Sequence, residues 1–375
     1  MIPVRIHETD GINGLPDGFL DLARIVYENE PQWIPENPGR ITAKISSAHS
    51  WFNDGRARCF LIPGRGRVAG FISPKMVIDG VQAAFFGYWE TMGSPEDDAC
   101  LWARVEEWSR QEGAKVLYGP INFTTFDNYR IRVSAEPGAR TFQAESFNPP
   151  DYAERLKRAG FSPCREYVVQ IGPTPIVKQL TQIHADLIPS LVAEGYRFEP
   201  LTIDGWMAHL DEMHTVADNV FADNFAYTPI SYETFAAGNG RSFISKACPR
   251  TSCFVFAPNG RIAAFSIMYP HYGPLVTQSA GERRIDVSKL NHEKHAPLLD
   301  AHPPRVILVK TMATTSEHRR KGIFNAMATY AIENSCDAYD VWFGTLIRSD
   351  NPSRRYATTA SQFERRYALF HKALV

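Results

Sequence analysis

The chain has 375 residues, 44% of them hydrophobic and 22% charged, which is ordinary globular usage and enough length for two domains of common size. Forty basic residues against forty-one acidic leave a formal net charge of -1, so no global field draws the chain to double-stranded nucleic acid or to an anionic membrane. The opening "MIPVRIHETDGING" lacks the basic-then-apolar order of a secretory signal, and no stretch approaches the roughly 18 apolar residues of a spanning helix, so a cytoplasmic location is expected.

The first elements follow from periodicity. "GFLDLARIVYENE" has helical spacing, and the proline-rich "PQWIPENPGR" closes it. "ARCFLIP" and "RVAGFISPKMV" are β-type runs joined through "GRGR", a hairpin signal, and "AAFFGYWETM" is a third strand. "SPEDDACLWARVEEWSRQEG" opens on Ser94, Pro95 and three acids and stops at Gly113, which predicts a well-started helix. Strand "KVLYGPIN", helix "NPPDYAERLKRAGF" and strand "REYVVQIG" complete a first unit, residues 1–172.

A connecting segment, 173–197, holds one predicted helix, "KQLTQIHADLIPSLVAEG". The second unit, 198–375, repeats the order: helices in "GWMAHLDEMHTVADNVF" and "SYETFAAG", strands "SCFVFAP", "IAAFSIMYP" and "RVILVKTMAT", helix "GIFNAMATYAIENS" and strand "VWFGTLIRS". The recurring order predicts two related α/β domains side by side. Residues 274–304 interrupt it as a polar excursion with His292, His295 and His302; lone histidines there read as solvated, with a metal ligand or a base as the alternative for His292 and His295. Six cysteines without CxxC spacing give no framework for a disulfide or zinc site, and no metal is expected.

Between a strand and a helix of the second unit stands a basic knot: Arg319, Arg320, Lys321 and Gly322. Cations at a helix start oppose the macrodipole unless an anion compensates, and a glycine there lets a phosphate approach the backbone. The knot therefore reads as an anion cradle, with a solvated basic helix start as the alternative.

The stretch "ILVKTMATTSEHRRKGIFNAMATYAIE" resembles the acyl-coenzyme A motif of the GNAT (GCN5-related N-acetyltransferase) superfamily. That resemblance implies Arg319, Arg320, Lys321, Gly322, Ile323 and Phe324 around the pyrophosphate of acetyl-CoA or another acyl-CoA. Lys310, Thr311, Met312 and Ala313 would lie beside the pantetheine, with a strand N–H near Met312 or Ala313 as oxyanion donor. Phe324 stands where the family has a second small residue. "LIRSDNPSRRYA" is similar to the next family element, with Asn351 leading its helix and Tyr356 as either general acid or packing aromatic. The first unit resembles the partner domain of tandem GNAT proteins through "EPQWIP", "FFGYWE", "YGPINFTTFDN" and "NPPDYAERLKRAGF", and it lacks the donor motif; the resemblance implies two GNAT-like α/β (α+β) domains, each a mixed, mostly antiparallel sheet flanked by helices.

The implied chemistry is direct attack of a small-molecule amine on a thioester, making the chain a GNAT-type N-acyltransferase. Glu212, His214, Asp218, Asp223 and Tyr227 in "DEMHTVADNVFADNFAYTP" are candidates to bind or deprotonate the acceptor, His214 and Asp218 as catalytic groups, or else are helix caps; Glu90 is a further acceptor-site candidate. Two other readings stay open: a donor carried by an acyl carrier protein or a tRNA, and a tandem module without turnover.

Overall fold

A computed structural model of the chain describes residues 5–277, 284–351, 353–359 and 361–374, with the side chains of 355–357 outside that description. The strands of the first half are β1 (His7–Asp10), β2 (Arg56–Ile62), β3 (Gly66–Ile72), β4 (Val77–Ile78), β5 (Val81–Thr91), β6 (Val116–Gly119), β7 (Ile131–Ser134) and β8 (Ser162–Pro173). Those of the second are β9 (Arg197–Pro200), β10 (Cys253–Phe256), β11 (Ile262–Pro270), β12 (Val306–Thr314), β13 (Val341–Arg348) and β14 (Phe363–Ala373). All join one fourteen-stranded sheet in the order β1-β2-β3-β5-β6-β14-β8-β13-β12-β11-β10-β9, with β4 on β5 and β7 on β14.

Apart from β4 and β7, which lie off the main path, the strand order of one half mirrors that of the other, with β8 and β14 exchanged. Every pair is antiparallel except β5 with β6 and β12 with β13, one parallel pair in each half. Each parallel pair is bridged by a helix: Pro95–Gln111 in the first half and Ile323–Glu333 in the second. The expected mixed, mostly antiparallel α/β architecture is therefore observed.

The closing strands cross the connecting segment. β8, from the first half, pairs with β13, and β14, the last strand, lies between β8 and β6. The crossing is fixed by Arg365 on β14, which is 1% exposed. Its guanidinium reaches Glu136 at 2.7 Å and Glu145 at 3.0 Å, both from the first half, while Tyr367 also donates to Glu145. A buried guanidinium is tolerated because two carboxylates satisfy its fork.

One apolar core runs along one face of the sheet through both halves, from Phe19, Trp51 and Phe71 to Trp206, Phe254 and Tyr269. On the other face the first half packs Trp102, Val105 and Trp108 against the sheet, and the second packs Ile323, Ala326 and Met327.

Two predicted helices are broken. The connecting helix is split into Thr174–Gln182 and Leu187–Ala193, because Pro189 has no N–H and its ring would clash with the carbonyl four residues back. "GWMAHLDEMHTVADNVF" is split at His209 into Ile203–Ala208 and Leu210–Phe221. The excursion 274–304 carries short helical turns at Gly273–Val276, Val287–Lys289, His292–His295 and Pro297–Ala301. Among the described residues no group of His, Cys, Asp and Glu could hold a metal ion, and all six cysteines are free thiols.

Candidate functional site

β12 and β13 pair from Val306↔Val341 to Val309↔Gly344 and then part. Irregularities in both strands coincide with the parting. Lys310 is the extra residue where β12 slips against β11, and Leu346, at φ +54°, lies where β13 slips against β8. A bulge bends its strand and breaks the ladder, so the pair opens into a V.

The turn at the open end is built for close approach. Arg320 and Gly322 are both left-handed, at φ +66° and +82°, and the helix Ile323–Glu333 follows with no side-chain cap and no acid in its first turn. Such a start presents backbone N–H groups and the positive end of the macrodipole. A Cβ on Gly322 would lie 3.1 Å from Leu187 Cδ2, so a side chain there meets both strain and crowding.

The turn's shape is held from outside. The Ser316 N–H donates to Asn219 Oδ1 at 2.9 Å, and Asn219 Nδ2 donates back to Ser316 Oγ at 3.1 Å. Lys321 Nζ donates to the Tyr196 hydroxyl at 2.9 Å, and that hydroxyl meets His318 Nδ1 at 2.8 Å. Arg319 faces Asp223 at 3.5 Å across an exposed pair. Of the three basic residues, Arg320 carries the left-handed turn and is exposed.

The V opens on a cavity of about 2000 Å³ walled by both halves. Lys310, Thr311 and Met312 line it from β12, Gly344, Thr345 and Leu346 from β13, and Phe324 from the helix start. Phe324, the departure from the family pattern, is thus part of the cavity wall, while Ile323 is buried in the core beneath the helix. Thr345 Oγ1 donates to the Val309 carbonyl at 2.8 Å, tying the apex of the V. Burial, with the charges of Arg130 and Lys246 nearby, pulls the Lys310 amine down to about 8.

Of the acceptor candidates, Tyr227 and Glu90 line the cavity. The others are committed elsewhere. Glu212 accepts from the Ile262 N–H at 3.1 Å and pairs with Arg261, His214 Nε2 meets the Ile230 carbonyl at 2.8 Å, and Asp218 accepts from Tyr227. Asp223 is exposed and pairs with Arg319 at the turn. None of these side chains caps a helix; Glu212, His214 and Asp218 tie the helix Leu210–Phe221 to β11 and to the segment Tyr227–Ile230.

Asn351 lines the cavity and caps the helix Ser353–Thr358, its Oδ1 accepting from the Ser353 N–H at 2.9 Å. Tyr356 falls within that helix, and its side chain lies outside the described residues. Sequence reading missed Arg130, Lys246 and Thr345. Arg130 and Lys246 sit in loops without motif, and only the tertiary fold brings them to the V.

The first half has the same V, filled. β5 and β6 pair from Ala83↔Val116 to Phe85↔Tyr118 and part. Asn122 enters the gap and its Oδ1 accepts from the Tyr88 N–H at 2.9 Å; a Cβ on Gly87 would lie 2.6 Å from the same oxygen. Glu90 is held by the hydroxyls of Tyr27 at 2.9 Å and Tyr152 at 2.8 Å. Burial pushes its carboxyl up to about 7, against Arg67 and these two hydrogen bonds. The helix start beyond is capped by Ser94, whose Oγ accepts from the Asp97 N–H, and carries Glu96, Asp97 and Asp98 in its first turn.

No family model matches the sequence, and no curated protein matches it. Solved structures do. A tandem GNAT protein from the clavulanic acid biosynthesis pathway, solved without AcCoA, matches over 99% of both chains at 11% identity with a TM-score of 0.51. A conserved protein of unknown function from Enterococcus faecalis V583, described as a probable N-acyltransferase, matches over 99% of this chain and 73% of its own at 8% identity, with a TM-score of 0.50. At such identities the likeness is one of fold, and it extends over both halves: the chain has the tandem GNAT-superfamily fold.

Proposed function

We propose that the protein is an N-acyltransferase whose second half binds an acyl-coenzyme A and whose shared cavity receives the amine. The observation that carries this reading is the pairing of an open strand edge, Lys310–Ala313, with an uncapped helix start at left-handed Gly322. A pyrophosphate needs converging backbone N–H groups and room for close approach; the turn Ser316–Gly322 offers both. The acyl arm needs unpaired strand edge and walls that exclude water, which the V supplies.

Coenzyme A would supply an activated thioester whose sulfur leaves as a thiolate. The chain's own contribution is positional and electrostatic. The splayed part of β12 near Met312 and Ala313 offers backbone N–H groups for the developing oxyanion, between Met312, Phe324 and Leu346 on the cavity wall. Lys310, with its amine near 8, gives the apex a positive charge that a neutral strand would lack.

The test is a calorimetric titration with acetyl-CoA and free coenzyme A, followed by thiol release with a panel of amines. Micromolar binding that both ligands share supports the donor site. Absence of binding overturns it and leaves a donor carried by another macromolecule or a module without turnover.

A further inference from the structure

Three cationic side chains converge on the cavity without a counter-ion. Lys310 on β12, Lys246 in the loop after the helix Arg241–Ile244, and Arg130 in the loop before β7 all line it. None takes part in an ion pair among the described residues. Of the carboxylates on the same walls, Asp127 is engaged with Lys44, Glu145 with Arg365, Asp54 with Lys75, Glu90 with Tyr27 and Tyr152, Glu36 with Asn128 and Asp286 with Ser288, while Glu233 stands in the first turn of the helix Tyr232–Asn239.

Arg130 is the most constrained of the three. It is 6% exposed and sits at φ +73°, a conformation that costs an L-residue energy. Its guanidinium lies 3.6 Å from the Tyr129 ring centre and 4.2 Å from that of Tyr167, a stacked clamp. One nitrogen reaches the Leu346 carbonyl at 3.4 Å, while Nε is buried without a partner. Leu346 is itself the left-handed residue of β13, so two strained positions meet beside the apex of the V.

Buried charge without a partner is expensive, and strain is retained where surrounding structure enforces it. Charges of like sign that depress one another add to that cost. A bound anion would offset the buried charge and the mutual repulsion together, and the strained backbone at Arg130 and Leu346 holds the guanidinium in place to meet it.

We propose that Lys310, Lys246 and Arg130 form a subsite for an anionic group, a carboxylate or phosphate, carried by a small-molecule substrate in the cavity. The binding of the anion stands on these residues alone; its meaning as substrate selection rests on the acyltransferase reading. Two sources share the chemistry: an acceptor amine that also bears an acid, or an acyl chain that ends in one.

The test separates this subsite from the donor turn. In an Arg319→Ala/Arg320→Ala background, succinate and inorganic phosphate are compared with sodium chloride at equal ionic strength by thermal shift. The expected result is a rise in Tm above the chloride control that Lys310→Met or Lys246→Met abolishes; methionine keeps the volume, so these variants should fold. No rise, or a rise that survives both substitutions, overturns the proposal. The source is then read by calorimetry on the protein with its donor turn intact. Tighter binding of succinyl-CoA than acetyl-CoA, by tenfold or more, assigns the anion to the acyl chain. Tighter binding of β-alanine than ethylamine assigns it to the acceptor, and loss of preference in both pairs counts against the subsite. Failure of coenzyme A to bind while the Lys310-dependent shift persists would overturn the coenzyme A reading and leave the anion site standing.

Discussion

The two V-shaped openings of the sheet have the same backbone origin and opposite chemistry. In the first half the gap is occupied by Asn122, the helix start is capped by Ser94, and three acids stand in its first turn. In the second half the gap is open, the helix start is uncapped, and no acid occupies its first turn. A capped, acid-bearing helix start is good for folding stability and poor for anions, since its N–H groups and dipole are already answered. An uncapped start after a left-handed glycine gives up that stabilisation, and is what a phosphate ligand requires. One strand arrangement thus yields a scaffold half and a candidate binding half through a handful of side chains.

The largest test of this contrast concerns the strand that joins the halves. Arg365→Ala would leave Glu136 without its cation and the buried Glu145 with only Arg132, at 3.6 Å, and the expected loss is about 3 kcal/mol in denaturant unfolding. A single, earlier transition for both halves is expected; early unfolding of one half alone would mean that they fold separately.

Next in size is the donor turn. Gly322→Val places a branched side chain at φ +82° against Leu187, and acetyl-CoA affinity should fall at least tenfold by calorimetry. Ser94→Gly at the matching place in the first half should leave that affinity unchanged. Equal losses from both would erase the distinction between the two openings.

Glu90 gives a pH-dependent effect of intermediate size. Its folded carboxyl titrates near 7 against an ordinary 4.5. Below 4.5 both states hold the proton and the group costs nothing. As pH rises from 4.5 to 7 the unfolded chain releases a proton that the folded chain keeps, so stability falls, and the loss is complete above 7. Glu90→Gln should therefore stabilise by on the order of 2 kcal/mol at pH 8 and by little at pH 4, read from thermal unfolding at both values.

The smallest expected change is at Arg319. Its pair with Asp223 is exposed, so Arg319→Ala should alter stability by less than about 1 kcal/mol. A severe loss would show that the pair, more than the Asn219–Ser316 hydrogen bonds, shapes the turn.

Much of the architecture was legible because local signals were strong. The hairpin at "GRGR", the acid-led start at Ser94 and the stop at Gly113 are local chemistry, and β2, β3 and the helix Pro95–Gln111 lie where these predict. The basic knot at Arg319–Gly322 was legible as a turn for the same reason. The acceptor side was not. Glu212, His214 and Asp218 have the residue types of a catalytic cluster, yet their side chains satisfy nearby backbone and a tyrosine. Arg130 and Lys246 have no motif, and they meet Lys310 only because distant loops fold over one cavity. Periodicity also could not reveal that β14 pairs with β6, 244 residues before its own start, since strand partners depend on long-range closure.

That pairing orders events in time. During synthesis β6 emerges early, but its neighbour in the finished sheet is made from residues 363–373. The first half must wait with an open edge while more than half the chain is translated, and an open edge is an invitation to wrong pairing. A chain halted before residue 363 would therefore lack a strand at the middle of the sheet, not at its margin, and both halves would be left incomplete by one missing segment.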